Sequence, residues 1–164
     1  MIELASVTNL YLWVKTFHMI GASVLLGTGF GSAFFKWHTD RTGDLSSIVF
    51  VSKTVVLVDK IFTTPAVVLQ FSTGIAMVWM GGYALTQAWL SLALGLFIFI
   101  GACWLPAVYI QMRCRDLAVE AQRAGAPLPP DYRRLSRIWF WLGACGFTAI
   151  WIVVGLMIMK PHWV

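Results

Sequence analysis

No Asp, Glu, Lys or Arg lies between Lys15 and Lys36, between Lys60 and Arg113, or between Arg137 and Lys160. Uncharged tracts of that length exclude a soluble fold, because a soluble domain averages about 25% charged residues along its whole length. Here charged residues make up 12% and hydrophobic residues 59% of the 164, and mean hydropathy is +0.78. A bilayer core about 30 Å thick needs about 20 helical residues to cross it. The middle tract has room for two crossings, and "GGYALTQ" within it reads as a hairpin connection. The expectation is an all-α, integral membrane four-helix bundle. It is one domain over 1–164, with spans at about 10–35, 46–80, 88–112 and 138–159.

The first span closes in "FFKWHTDRTGD", where charges and Gly43 mark a polar turn. The second is too long for one upright crossing, and about 20 residues counted back from Met80 end near Lys60. Lys53, Asp59 and Lys60 then fall at the interface, and Thr64-Pro65 lies a turn inside, where proline removes a helical hydrogen bond. Helix three is expected to run on to about Ala124 and to break at Gly125 and the following prolines. The net charge of +5 sits in the connections after spans one and three, so it is a topology signal and not a nucleic-acid footprint. Those basic loops are expected to be cytoplasmic and both termini non-cytoplasmic. Trp79, Trp89 and Trp163 would anchor the outer interface, and Trp37 and Trp139 the inner one. Glu3 is the only early charge, so the first span is expected to stay in place and not act as a cleaved leader.

"GTGFGSAFF" is not a nucleotide loop, since such a loop follows a strand and opens a helix. Gly27 and Gly31, four apart, form a small-residue stripe that can admit a neighbouring helix, in this chain, a second copy or a larger assembly. Cys103, Cys114 and Cys145 have no metal-ligand spacing and read as small packing residues.

One segment breaks the apolar pattern: "YLWVKTFHMIG" places Lys15 and His18 on one helical face. Lys15 can reach the outer interface, whereas His18 lies about 4.5 Å further in. Intramembrane ionisable groups are disproportionately functional, so His18 reads either as a ligand or proton carrier, or as an imidazole hydrogen-bonded to a neighbouring helix or to Gln70. Depth counting brings Met77 and Met157 to the same level, where their sulfurs could join His18 around a metal. Copper or small-solute handling is an alternative, with Met159 near the same end and Gln70 lining a path. An accessory subunit without chemistry of its own is another. Asp59 and Lys60 are expected to form an interfacial charge pair, joined by Lys53, with a place on a proton path as the alternative.

The same segment resembles the first helix of the HemJ-type membrane protoporphyrinogen oxidases. There an aromatic-Leu-Trp run is followed by Lys and then His, here Tyr11, Leu12, Trp13, Lys15 and His18. "GTGFGSAFFKWHTDRTGD", "FTTPAVVLQ", "GACWLPAVYIQMR" and "GAPLPPDYRRLSRIWFWLG" are similar to a family of small bacterial integral membrane proteins of unknown function, over nearly the full chain. The first resemblance implies haem b, with His18 as axial ligand and Lys15 near a propionate, and porphyrinogen oxidation or quinone-linked electron transfer as the chemistry. Only Lys15 and His18 carry over, because His38 and His162 lie outside the spans while HemJ-type proteins have further histidines in later helices. The second resemblance implies a multi-pass protein of the bacterial cytoplasmic (inner) membrane.

Overall fold

The computed structural model describes residues 2–161, with side chains from Thr8 onward, so Trp163 and His162 lie outside the described residues. Helix α1 is Ile2–Thr42, α2 is Leu45–Val58, a π-helical turn covers Asp59–Thr63, α3 is Thr64–Met80, α4 is Ala88–Ala124 and α5 is Pro130–Met159. No strand occurs among the described residues. Because α2, the π turn and α3 are continuous, the described residues make four helical rods.

Helices α1, α4 and α5 are each long and apolar enough to cross a membrane. With 17 residues, α3 is about 25 Å long and falls short of a 30 Å core by itself. The π turn supplies the missing length. Its position follows from Pro65, which has no N–H and whose ring crowds the carbonyl four residues back. The turn widens there, and the Thr64 N–H reaches the Asp59 carbonyl instead.

Two ends of the bundle differ in character. At the basic end, Asp44 caps α2, its carboxylate accepting from the Ser47 N–H at 2.9 Å and from the hydroxyls of Ser46 and Ser47. Those bonds hold its carboxyl down at about 2, Ser47 contributing most. Helix α4 packs along α5 through a file of small buried residues: Ala107, Cys114, Ala118 and Ala121. Ile48 and Val49 of α2 and Tyr132 of α5 close a core around Cys114 and Ala118. Burial pushes the Cys114 thiol up to about 11. At 37 residues α4 is about 55 Å long, so about 25 Å of it projects beyond a 30 Å apolar layer, at this end. The tightest core lies in that projection, while the apolar lengths of α1, α4 and α5 mostly face outward.

Of the neighbours expected for the small-residue stripe, the structure bears on one, a helix of this chain. Side chains added at Gly27 or Gly31 would meet nothing within 4 Å, so no helix among the described residues packs there. The close approach of α1 to α3 is made at Gly21, where a Cβ would lie 2.9 Å from Gln70 Oε1. Trp139 and Trp89 also depart from the role of interfacial anchors, being only 8% and 5% exposed. Each has a hydrogen-bonding or cationic partner inside the bundle. Cys145 is exposed and is not a packing residue.

Candidate functional site

Between the basic end and the hairpin end, the α1/α3 seam carries the polar groups. His18 is half-buried on α1 and takes both of its partners from α3. Its Nδ1 lies 2.9 Å from Thr73 Oγ1, and its Nε2 lies 3.2 Å from Gln70 Nε2. The Thr73 hydroxyl donates its one proton to the Leu69 carbonyl at 2.5 Å, so toward His18 it can only accept. Nδ1 therefore carries the imidazole proton, and Nε2 accepts from the Gln70 amide. This is the bonding pattern of a neutral imidazole with its proton on Nδ1. The other Gln70 atom, Oε1, is buried and accepts no hydrogen bond. Gly21 is what leaves it room.

This geometry bears directly on haem. Axial ligation needs a free imidazole nitrogen, and at His18 both are engaged within the chain. The Cε1 edge faces Gly74, where an added Cβ would lie 3.6 Å away. The residues present do not fit an axial site inside the seam. Lys15 is exposed, Met77 is half-buried on α3 one turn beyond Thr73, and Met157 is 37% exposed on α5. No group of three or more His, Cys, Asp or Glu side chains among the described residues is arranged to hold a metal ion.

Above His18, at the hairpin end, an open pocket of about 310 Å³ is lined by Thr8, Tyr11, Met80, Gly81 and Tyr83. Lys160 Nζ donates to Tyr83 Oη at 2.8 Å and lies 5.5 Å from the centre of the Trp89 ring. The Lys160 bond and one from Tyr11 draw the Tyr83 phenol below its ordinary range. Tyr83 folds back so closely that a Cβ at Gly81 would stand 2.5 Å from its ring. Tyr11 and Met80 are each seven residues from His18 and Thr73, about 10 Å along their helices.

Toward the basic end the seam meets a second node, on which the expected Asp59–Lys60 pair does not form. Asp59 turns inward and accepts from Gln111 Nε2 at 2.6 Å and Thr63 Oγ1 at 2.7 Å. Gln111 Oε1 in turn accepts from Trp139 Nε1 at 3.1 Å. Lys60 and Lys53 point away and are exposed. The π turn decides this, because it brings Asp59 and Thr63 onto one inward face.

A third cluster escaped the sequence reading. Lys36, 2% exposed, donates to Asp40 Oδ2 and Tyr132 Oη, each at 2.9 Å. Tyr132 and Ser136 also donate to Asp40, at 2.6 and 2.5 Å. Lys36 stands 4.8 Å from the Tyr132 ring centre and 5.6 Å from that of Trp139. Burial, and then Asp40, push the Tyr132 phenol above its usual range. The signal was present as two i, i+4 pairs, Lys36 with Asp40 and Tyr132 with Ser136.

A model of the family described as "Predicted integral membrane protein (DUF2269)" matches residues 12–161. Comparison with curated proteins and with solved structures found no match.

Proposed function

We propose, from the premise that the chain belongs to this family of integral membrane proteins, that it carries out proton-coupled movement of a small polar solute across the membrane, with His18 as the proton-exchanging group. One observation carries the reading: an imidazole bonded to Thr73 and Gln70 in the polar α1/α3 seam lies beneath an open pocket and beside the unused Gln70 Oε1. Intramembrane ionisable groups with polar partners mark proton relays and substrate paths. Protonation at Nε2 turns that atom from acceptor to donor. A half-turn of the Gln70 amide then presents Oε1 to it, while Nδ1 keeps its bond to Thr73. The proton comes from water in the pocket and returns there or passes on toward Asp59.

Charging an imidazole between neutral partners in a low-dielectric seam is costly, so the protonated state favours a rearranged seam. That bias couples the proton to movement of α1 against α3. The test is proton uptake into proteoliposomes that contain a trapped pH dye and have an imposed acid gradient. Wild type should admit protons faster than empty vesicles, and His18→Asn should return the rate to the empty-vesicle level. Equal rates for wild type and His18→Asn would overturn the reading.

Haem-linked redox chemistry, carried by the resemblance of Tyr11 to His18, requires the Gln70 amide to leave Nε2 and α1 to part from α3. A Soret band stoichiometric with purified protein would select it over proton coupling.

A further inference from the structure

Three exposed cations, Lys60, Arg113 and Arg137, stand at one level of the bundle, and the register of the polar node places them there. Gln111 is bonded to both Asp59 and Trp139, so these residues of α4, the π turn and α5 share a height. Lys60 follows Asp59, Arg113 lies two residues beyond Gln111, and Arg137 precedes Trp139 by two. Two helical residues are about 3 Å of rise and about 200° of rotation. Where Gln111 and Trp139 point inward, Arg113 and Arg137 therefore point outward at almost the same height.

That level is also where the uncharged tracts end, since Lys60, Arg113 and Arg137 bound them. One turn into the tract on the same faces come exposed aromatic rings: Tyr109 below Arg113, 67% exposed, and Trp141 below Arg137, 62% exposed. A cation with an aromatic ring one turn deeper matches the phosphate and glycerol levels of a lipid leaflet. Within the described residues no carboxylate is paired with any of the three. Ion pairs among the described residues are Lys36–Asp40 and Arg115–Asp116, and neither involves the three.

We infer that Lys60, Arg113 and Arg137 form an anionic-lipid belt, which binds the phosphates of acidic phospholipids in the leaflet at the basic end. Inside the bundle the Asp59 carboxylate at that level is already taken by Gln111 and Thr63, and the three exposed cations face the lipid side. A guanidinium suits this role because it takes phosphate oxygens in pairs. The inference is independent of the proton reading, since it involves neither His18 nor the seam.

Spin-labelled lipids test it on the full chain in bilayers. Labelled phosphatidylglycerol should be enriched over labelled phosphatidylcholine in the motionally restricted layer, and the enrichment should fall as salt rises. Each belt cation exchanged for Gln should lower the preference by about five-fold at low salt. The triple variant K60Q/R113Q/R137Q should show none, whereas R123Q/R133Q, altered further from the apolar layer, should match wild type. Inorganic phosphate at the same ionic strength should compete no better than chloride. Wild-type selectivity in the triple variant, or equal loss in R123Q/R133Q, would overturn the belt, and displacement by phosphate would make it a soluble-anion site. Should the triple variant fail to fold, the three single variants and the salt dependence of wild type decide the matter.

Discussion

Asp40→Ala removes the acceptor that Lys36, Tyr132 and Ser136 share at the basic end. Lys36 then keeps only the Tyr132 oxygen and two aromatic faces, and at 2% exposure water cannot replace the carboxylate. Removing one member of a buried pair costs about 3–5 kcal/mol. Asp40 is 19% exposed, which selects the lower end, about 3 kcal/mol. Lys36→Met leaves a carboxylate with two hydroxyl donors and some water, so its cost is about 1–2 kcal/mol. The double variant Lys36→Met/Asp40→Ala buries no charge and loses only the two hydroxyls' acceptor, about 2 kcal/mol. The cycle therefore closes with a coupling of about 2–3 kcal/mol. Reversible unfolding in mixed micelles, followed by circular dichroism, measures all four corners. Additive single costs, or an Asp40→Ala cost below about 1 kcal/mol, would refute the buried-pair reasoning.

Gly21→Ala should leave the fold intact, since its Cβ meets the movable end of Gln70, but should shift the His18 ring resonances. Asp59→Leu strands the Gln111 amide and should cost about 1–3 kcal/mol in micelle unfolding, while Lys60→Gln should cost close to nothing. Lys160→Met removes the largest cause of the lowered Tyr83 value, so phenolate absorbance from Tyr83 should appear at higher pH than in wild type. The depressed Asp44 carboxyl contributes stability fully present above its ordinary value of 3.8 and lost as pH falls through about 2. Asp44→Asn should flatten that limb of a melting-temperature profile.

The uncharged tracts and the proline made the helical, membrane-embedded character legible, because both act through local chemistry. The break near Pro65 was readable for the same reason, yet its consequence was not. A π turn alters the phase of the helix that precedes it, and only that phase tells whether Asp59 faces Lys60's side or the interior. The partner of His18 was nameable, since Gln70 is the lone amide in its tract at a reachable depth. Thr73 and the resulting tautomer required coordinates. Lys36 and Arg113 look alike in sequence, as charges closing an apolar run, although one is buried on Asp40 and the other faces outward. Gly27 and Gly31 have the spacing of a packing stripe, but spacing does not say which helix stands opposite, and Gly21 meets α3 instead.

The central claim concerns where the proton sits on His18, and nitrogen NMR of the ring-labelled protein in bilayers reads it directly, with His38 and His162 replaced by Gln for assignment. At neutral pH the account predicts a protonated Nδ1 and a bare, hydrogen-bonded Nε2. On acidification both nitrogens should become protonated while the Gln70 amide signal shifts with them. A neutral His18 that carries its proton on Nε2, or an acid titration indifferent to Gln70→Leu, would contradict it.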